Sequence, residues 1–419
     1  MSPSDTQSRE FDVAVVGGGM VGLVAAVLLA RKTKLKIAVV EAHPPKAAPG
    51  DETGLRVSAL SLASANILDA CNAWDAVRER SQAYTGMCVW QEAFESDTER
   101  ALSFSASELG APELGFIAEN DVVRWALWQE AVSNDAIEII SAAPAQLQIS
   151  EDAAEITFED GSVLLSGLVV GADGANSWTR GQLNVSGSSD SYAQKAIVAH
   201  IRPERSHNNT AWQRFLSTGP VALLPLPDGR CSIVWSCDSE RADELLALDD
   251  SEFARALTTA TDNALGDLQC STPRAAFPLG YAHVDSYSGE RFALIGDAAH
   301  RIHPLAGQGV NLGMLDAASL ADVLGDFLQN RYADPGDAVM LRSFERCRRR
   351  DTELTLGMMN FLHQLFAGSS AGTPEVLAYA GGAGLGVVNA VAPAKRKFAE
   401  HAMGLVGDLP SAALRQTAV

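Results

Sequence analysis

Positive charge is scarce in this chain: 32 Lys and Arg stand against 52 Asp and Glu, for a formal net charge of −20. That balance repels phosphate backbones, so no nucleic acid partner is expected. Long hydrophobic runs are missing as well. A membrane-spanning helix needs roughly 18 or more uninterrupted apolar residues, and the nearest approach, Val376 to Pro393, is broken by glycines, a Tyr and an Asn. The opening MSPSDTQSRE is polar and lacks the apolar centre of a secretory signal. The 6 cysteines form neither a CxxC pair nor a metal-like cluster, which points to reduced, structural thiols and to no metal site. The expectation is a soluble, cytoplasmic protein. Hydrophobic residues make up 47% of its 419 positions, enough for a large core and too many for wholesale disorder.

What is present begins at once. Phe11 to Val16 is an apolar run of the kind that forms a buried parallel strand. It enters Gly17-Gly18-Gly19-Met20-Val21-Gly22, which fits G-x-G-x-x-G through Gly17, Gly19 and Gly22. An apolar helix over Met20 to Arg31 follows, then a strand over Lys36 to Val40 that ends in Glu41. Each part has a physical task in dinucleotide binding. The glycines permit a tight turn, close approach to a pyrophosphate and close helix–strand contact, and an acid about 20 residues on takes a ribose hydroxyl. An acid rather than Arg at position 41 favours FAD or NAD over NADP at this site.

A second unit of similar design sits far down the chain. RFALIGDAAHRIHPLAGQGVNLG (Arg291 to Gly313) reads as strand, Gly-Asp, a Gly/Pro loop and a long helix, the arrangement that holds an anionic group at a helix start. Between the two lie a helix in LRVSALSLASANILDA with a cap near Ser58 and an amphipathic helix over Asn120 to Ala131. A hairpin of Glu155 to Phe158 and Val163 to Leu165 is followed by a buried strand over Leu168 to Val170. AIVAHI, PVALLPL and CSIVWS then alternate as strands of a mostly antiparallel second lobe, residues 239–268 read as helical, and the chain from Gly309 on is mainly helical. The fold class is therefore α/β, with a Rossmann-like parallel-sheet domain, an α+β lobe and a helical C-terminal region. The expected division is 1–80, 116–185 and 281–330 for the dinucleotide domain, 81–115 and 186–280 for the second lobe, and 331–419 for the helical region.

Three signatures together carry a resemblance: the glycine loop, GLVVGADGANSWTR (Gly167 to Arg180) and the Gly-Asp segment at 291–313. The chain resembles the class A FAD-dependent aromatic monooxygenases of the para-hydroxybenzoate hydroxylase type. RVSALSLAS (Arg56 to Ser64), ENDVVRWALW (Glu119 to Trp128), FPL (Phe277 to Leu279) and MGLVGDLP (Met403 to Pro410) make it most similar to the ubiquinone-biosynthesis hydroxylases. The resemblance implies one extended FAD served by both phosphate-type loops. Gly17, Gly19, Met20, Val21, Gly22 and Glu41 would hold its pyrophosphate and adenosine ribose. Gly296 and Asp297 would reach the pyrophosphate and the ribityl chain, and Pro304, Gly307, Gly309, Val310 and Asn311 would face the flavin. Asp173 and Gly174 match a motif used for FAD and the nicotinamide donor, and Arg56 matches an arginine near the flavin and pyrophosphate. Arg124 and Arg301 depart from the branch, which more often has Gln and a small polar residue there.

The implied reaction is hydroxylation of the ring of a polyprenylated phenol, with NADPH or NADH as transient donor and O2 delivered through a flavin hydroperoxide. No residue is assigned as catalytic; His303, Pro304, Gly307 and Gln308 are the candidates beside the flavin. Other readings stay open: another aromatic substrate, a non-catalytic flavin-binding accessory protein, or a reductase of prenyl chains. Trp90, Trp212, Phe215 and Trp235 line a substrate cavity or pack the core. The basic run RSFERCRRR (Arg342 to Arg350) is a solvated face, or it attracts anionic lipid or an acidic partner. Peripheral contact with the inner membrane and a ubiquinone-biosynthesis assembly are expectations of the prenylated substrate, and monomer and homo-oligomer are both left open.

Overall fold

A computed structural model describes residues 8–92, 101–190, 193–301, 309–330, 333–366 and 403–414. Its organising element is an 8-stranded sheet with the path Ser288–Gly289, Phe292–Leu294, Val163–Gly171, Ser8–Val16, Ile37–Val40, Ile137–Ile140. From Phe292–Leu294 onward the neighbours on this path run parallel, in the registers Val169↔Phe292, Val13↔Leu168, Val13↔Ile37 and Ile37↔Ile137. Strands buried on both faces need apolar residues at consecutive positions rather than alternate ones. Val13, Ala14 and Val15 meet that need, each with no exposed surface. The Met20–Lys32 helix packs on this sheet with Leu23, Val24, Ala25, Ala26 and Leu29 fully buried. The Gly309–Phe327 helix lies against it, burying Met314, Ala317, Ala318, Leu320 and Ala321.

The second large sheet follows the path Leu268–Cys270, Gln194–Pro203, Cys231–Asp238, Gly219–Pro225, Thr210–Leu216, Gly86–Gln91, Leu102–Ser105. It is antiparallel except where Thr210–Leu216 pairs in parallel with Gly86–Gln91, through Trp212↔Cys88 and Arg214↔Trp90. One face carries a core of Ile197, Ile201, Ile233 and Leu223 beneath the Ser239–Ala247 and Asp250–Ala260 helices. Its other face, with Ala196, Val198, Ala222 and Val234, borders a cavity.

Three details differ from the sequence reading. The strand expected over Leu168 to Val170 and the hairpin arm at Val163 to Leu165 are one strand, Val163–Gly171. Glycine at 167 hid this continuity by imitating a break. The helix expected to be capped near Ser58 begins later: Val57–Leu60 is a strand paired with Gly115–Glu119, and the helix is Leu62–Ala70. Ser61 caps it, its Oγ accepting from the Ser64 N–H at 3.2 Å. Pairing with a distant strand outweighed the local helical spacing of LRVSALS, an ordinary tertiary override. Thr210–Leu216 was not anticipated, because its parallel partner lies far earlier in the chain.

The central helix supplies a direct stability test. Leu23 has no exposed surface, and its truncation leaves a cavity between helix and sheet. Leu23→Ala is expected to lower unfolding stability by about 2–5 kcal/mol, seen as an earlier urea midpoint with an unchanged slope.

Candidate active site

The glycine loop is shaped by what its backbone must avoid. Gly17 has φ +111°, and a Cβ there would lie 2.5 Å from the Ala172 carbonyl oxygen. At Gly22 a Cβ would sit 2.0 Å from the Gly17 carbonyl oxygen. These two positions admit only hydrogen, for reasons internal to the protein. Gly19 and Gly174 differ: a Cβ at either would meet nothing within 4 Å. Their backbones face open space, where something other than protein can approach. No side chain caps the helix start at Gly19 and no acid occupies its first turn, so its N–H groups present an uncompensated positive end.

Glu41 closes the loop from the next strand. Its Oε2 accepts the Gly18 N–H at 2.7 Å, and its Oε1 accepts the His43 N–H at 2.7 Å. Arg124 reaches in from the Asn120–Val132 helix. Its Nε donates to the Gly18 carbonyl at 2.8 Å, one Nη donates to the His43 carbonyl at 3.0 Å, and that nitrogen is 3.3 Å from Glu41 Oε2. Arg124 is therefore a brace of the loop, and Glu41 keeps acceptor capacity on Oε1.

On the far side, Ile295 leads into the turn Gly296–Ala298, where Gly296 has φ +58°. Asp297 opens into a cavity of about 510 Å³. The residue is open to the cavity, yet the protein around it displaces enough solvent to push the carboxyl up from the ordinary value, while His300, Arg301 and Arg56 pull it back. Gly19, Met20, Val21, Arg56, Gly174, Gly309 and Val310 line the same cavity. Gly17, Gly22, Glu41, Arg124, Asp173, Gly296 and Asn311 do not. Asp173 spends its carboxylate locally, on the Ser177 hydroxyl (2.5 Å), the Thr179 N–H (2.9 Å) and the Thr179 hydroxyl (3.0 Å). Asn311 spends its side chain on the Val57–Leu60 region: Oδ1 accepts from the Ser61 N–H at 2.9 Å, and Nδ2 donates to the Ala59 carbonyl at 2.8 Å. His303, Pro304, Gly307 and Gln308 lie outside the described residues.

The rest of the cavity wall is the inner face of the second sheet. Ala196, Val198, Ala222, Leu224, Val234 and Phe215 line it, joined by Met87, Val89, Leu102, Phe104 and Met403. Among the described lining residues this lobe contributes no Lys, Arg or His. Arg214 points away, its guanidinium donating to the Thr259 and Ala260 carbonyls. Arg301 lines the rim and donates to the Pro278 carbonyl at 2.6 Å, and Arg56 stands 5.2 Å from the Phe277 ring centroid. Of the four aromatics that the sequence offered as cavity or core, Trp212 and Phe215 border the cavity. Trp90 is buried edge-on behind Trp212 at 6.0 Å, and Trp235 packs on Phe253 in the core.

Several residues that hold this arrangement were not anticipated. Arg180 donates to the Ala298 carbonyl at 3.0 Å and to the Ala175 carbonyl at 2.7 Å, tying the Asp-Gly loop to the Gly-Asp turn. Glu119 accepts the Gly54 N–H at 2.6 Å and pairs with Arg80 at 2.8 Å, anchoring the segment before Arg56. The basic run is also not one surface. Arg348 has no exposed surface and pairs with Asp316 and Asp351, while Arg349 pairs with Glu353.

Residues 10–350 match a family described as FAD binding domain. The chain belongs to that family. The mitochondrial ubiquinone biosynthesis monooxygenase COQ6 of Mus musculus is 35% identical over 93% of this chain and 90% of its own. The 3-demethoxyubiquinol 3-hydroxylase of Escherichia coli is 32% identical, with 94% and 98% covered. Among solved structures, p-nitrophenol 4-monooxygenase PnpA of Pseudomonas putida superposes with a TM-score of 0.74 at 18% identity, covering 96% of this chain and 99% of the other. PqsL of P. aeruginosa, in complex with 2-aminobenzoylacetate, gives 0.73 at 23%, with 86% and 97% covered. These structural likenesses establish the fold.

Asp297 lends itself to a pH test. A carboxyl raised in the folded state costs stability as pH climbs from the ordinary value of about 4 through the raised one. In the cofactor-free protein, Asp297→Asn removes that cost. Thermal melts from pH 4 to 8 are expected to show the Asn chain gaining on wild type as pH rises, and parallel curves would contradict this.

Proposed function

We propose that this chain is an FAD-dependent monooxygenase that hydroxylates the aromatic ring of a polyprenylated phenol in ubiquinone biosynthesis. One observation carries the reading. The cofactor loops and a broad apolar sheet face border a single cavity, and the second lobe offers no cation there among the described residues. A small aromatic acid would require such a cation, whereas a prenylated phenol requires apolar wall.

The residues fit FAD on their own geometry: two backbones open to an approaching group, an uncapped helix start and a carboxylate lining the cavity. Gly17, Gly19, Met20, Val21 and Gly22 would hold the pyrophosphate, Glu41 the adenosine ribose, and Asp297 the ribityl hydroxyls. Gly174 would meet the cofactor through its backbone, with Asp173 shaping that loop. Gly309 and Val310 would present a helix start to the flavin, Asn311 fixing that start, and Gly296 would let the turn come close. Pro304, Gly307, Gln308 and His303 stay candidates for the flavin side on the motif alone, with no catalytic role assigned to any of them. When bound, FAD accepts a hydride from NADPH or NADH and, with O2, supplies the oxygen that enters the ring. The chain's own part is to orient the phenol, exclude water with the apolar wall and neutralise charge with Arg56.

The division into a dinucleotide domain (1–80, 116–185, 281–330), a substrate lobe (81–115, 186–280) and a helical region (331–419) belongs to this reading. Contact with a membrane surface or a biosynthetic assembly would bring the prenylated substrate within reach. No helix among the described residues is long and apolar enough to cross a membrane. Arg342, Arg346 and Arg350 are the exposed arginines of the basic run, the ones left to meet an anionic surface.

Expression in bacterial strains that each lack one ring hydroxylase, with lipid analysis by mass spectrometry, tests the function. Restored ubiquinone in one strain is expected and would identify the ring position; no restoration despite yellow protein in every strain would overturn it. Ala222→Trp fills the cavity from the sheet side. It is expected to leave FAD content intact and to raise KM for the phenol roughly tenfold or more.

A further inference from the structure

Behind the Gly296–Ala298 turn lies a buried ionic cluster for which the cofactor reading has no use. Asp316 stands on the Gly309–Phe327 helix one turn after Gly313. A Cβ at Gly313 would lie 3.1 Å from the Gly296 Cα and 2.7 Å from Val21 Cγ2, so helix and turn meet backbone to backbone. That closeness brings the Asp316 carboxylate under the turn. Its Oδ2 accepts the Gly296 N–H at 3.0 Å and faces His300 Nε2 at 2.6 Å. Its Oδ1 accepts from Arg348 Nε at 2.8 Å, and Arg348 Nη1 donates to Asp351 at 2.9 Å. Asp316 and Arg348 have no exposed surface, and His300 is 1% exposed.

The chemistry of the cluster is one-sided. A carboxylate only accepts, so His300 must carry its proton on Nε2. Burial pushes the Asp316 carboxyl up, but His300 and Arg348 outweigh it and hold it below the ordinary value. Removing one partner from such a cluster strands a charge with no solvent. Asp316 thus anchors both ends of the segment Gly296 to His300, and Asp297, next to the Gly296 anchor, faces the cavity from within it. Arg348 brings in the Ala338–Phe366 helix as counter-ion.

We propose that Asp316, His300 and Arg348 are positioning residues for the cofactor: they hold the Gly296–Asp297 turn in the one shape that aims Asp297 into the flavin site. The inference rests on the FAD reading above. Its consequence is that FAD affinity is set partly from a helix that lines none of the described cavity.

The test measures FAD dissociation by flavin fluorescence, with melting of the cofactor-free chains alongside. His300→Leu removes one charge-assisted donor, and FAD is expected to bind about tenfold more weakly. His300→Gln offers an amide donor to Asp316 and is expected to recover most of that loss. Arg348→Lys keeps the charge and gives up the fork, so a Kd rise of roughly fivefold or more is expected; it decides the matter if the Leu chain fails to fold. Folded variants with wild-type FAD affinity would overturn the positioning role alone. A wild-type chain that binds no FAD would overturn the cofactor reading, and this inference with it. Equal melting losses in His300→Leu and His300→Gln, with unchanged affinity, would mark the cluster as structural only.

Discussion

The helix that begins at Gly309 meets the Gly296 turn with no side chain between them, and the site depends on that contact. Gly313 and Gly296 permit it, because a Cβ on either would run into Val21 of the first helix, at 2.7 and 3.2 Å. Three elements from opposite ends of the chain are thereby locked together: the start of the Met20–Lys32 helix, the Gly-Asp turn and the start of the Gly309–Phe327 helix. Each offers N–H groups or a carboxylate to the same cavity. None could be placed within a few tenths of an ångström by apolar packing alone, which tolerates small slides. The buried Asp316 carboxylate removes that freedom, because every hydrogen bond it makes must be kept.

The cavity's second wall follows different rules. It is a sheet face, where alternate residues point the same way, so Ala196, Val198, Ala222, Leu224 and Val234 present small and medium apolar groups in a curved array. Charged groups are confined to the loop side, while the sheet side is mainly apolar and its polar contributions, Gln213, Ser232 and Ser236, are uncharged. This asymmetry suits a substrate recognised mainly by its apolar body.

Much of this was legible in the amino-acid order because it is local. Gly17, Gly22 and Glu41 follow from the demands of one strand–turn–helix–strand unit, and the Gly296-Asp297 turn from a second. The missing parts are those that depend on distant partners. Asp316 reads as an ordinary helical acid, and Arg348 as one member of a solvated basic run; only the packing of two helices makes them a pair. Asp173 carries a family signature, yet its carboxylate is taken by Ser177 and Thr179, a capping arrangement that spacing alone could not separate from a ligand role. Ser58 reads as the cap from local spacing alone; pairing of Val57–Leu60 with a distant strand moves the helix start to Ser61. The flavin-side candidates His303, Pro304, Gly307 and Gln308 fall outside the described residues, so their roles rest on the motif.

The most direct measurement is a crystal structure of the chain purified with its bound chromophore. The account predicts one FAD per chain, extended so that its diphosphate lies at the start of the Met20–Lys32 helix, its ribityl chain beside Asp297 and its ring beneath the apolar sheet. Separate nucleotides at the two loops, or a flavin ring seated outside the cavity with Asp297 untouched, would contradict it.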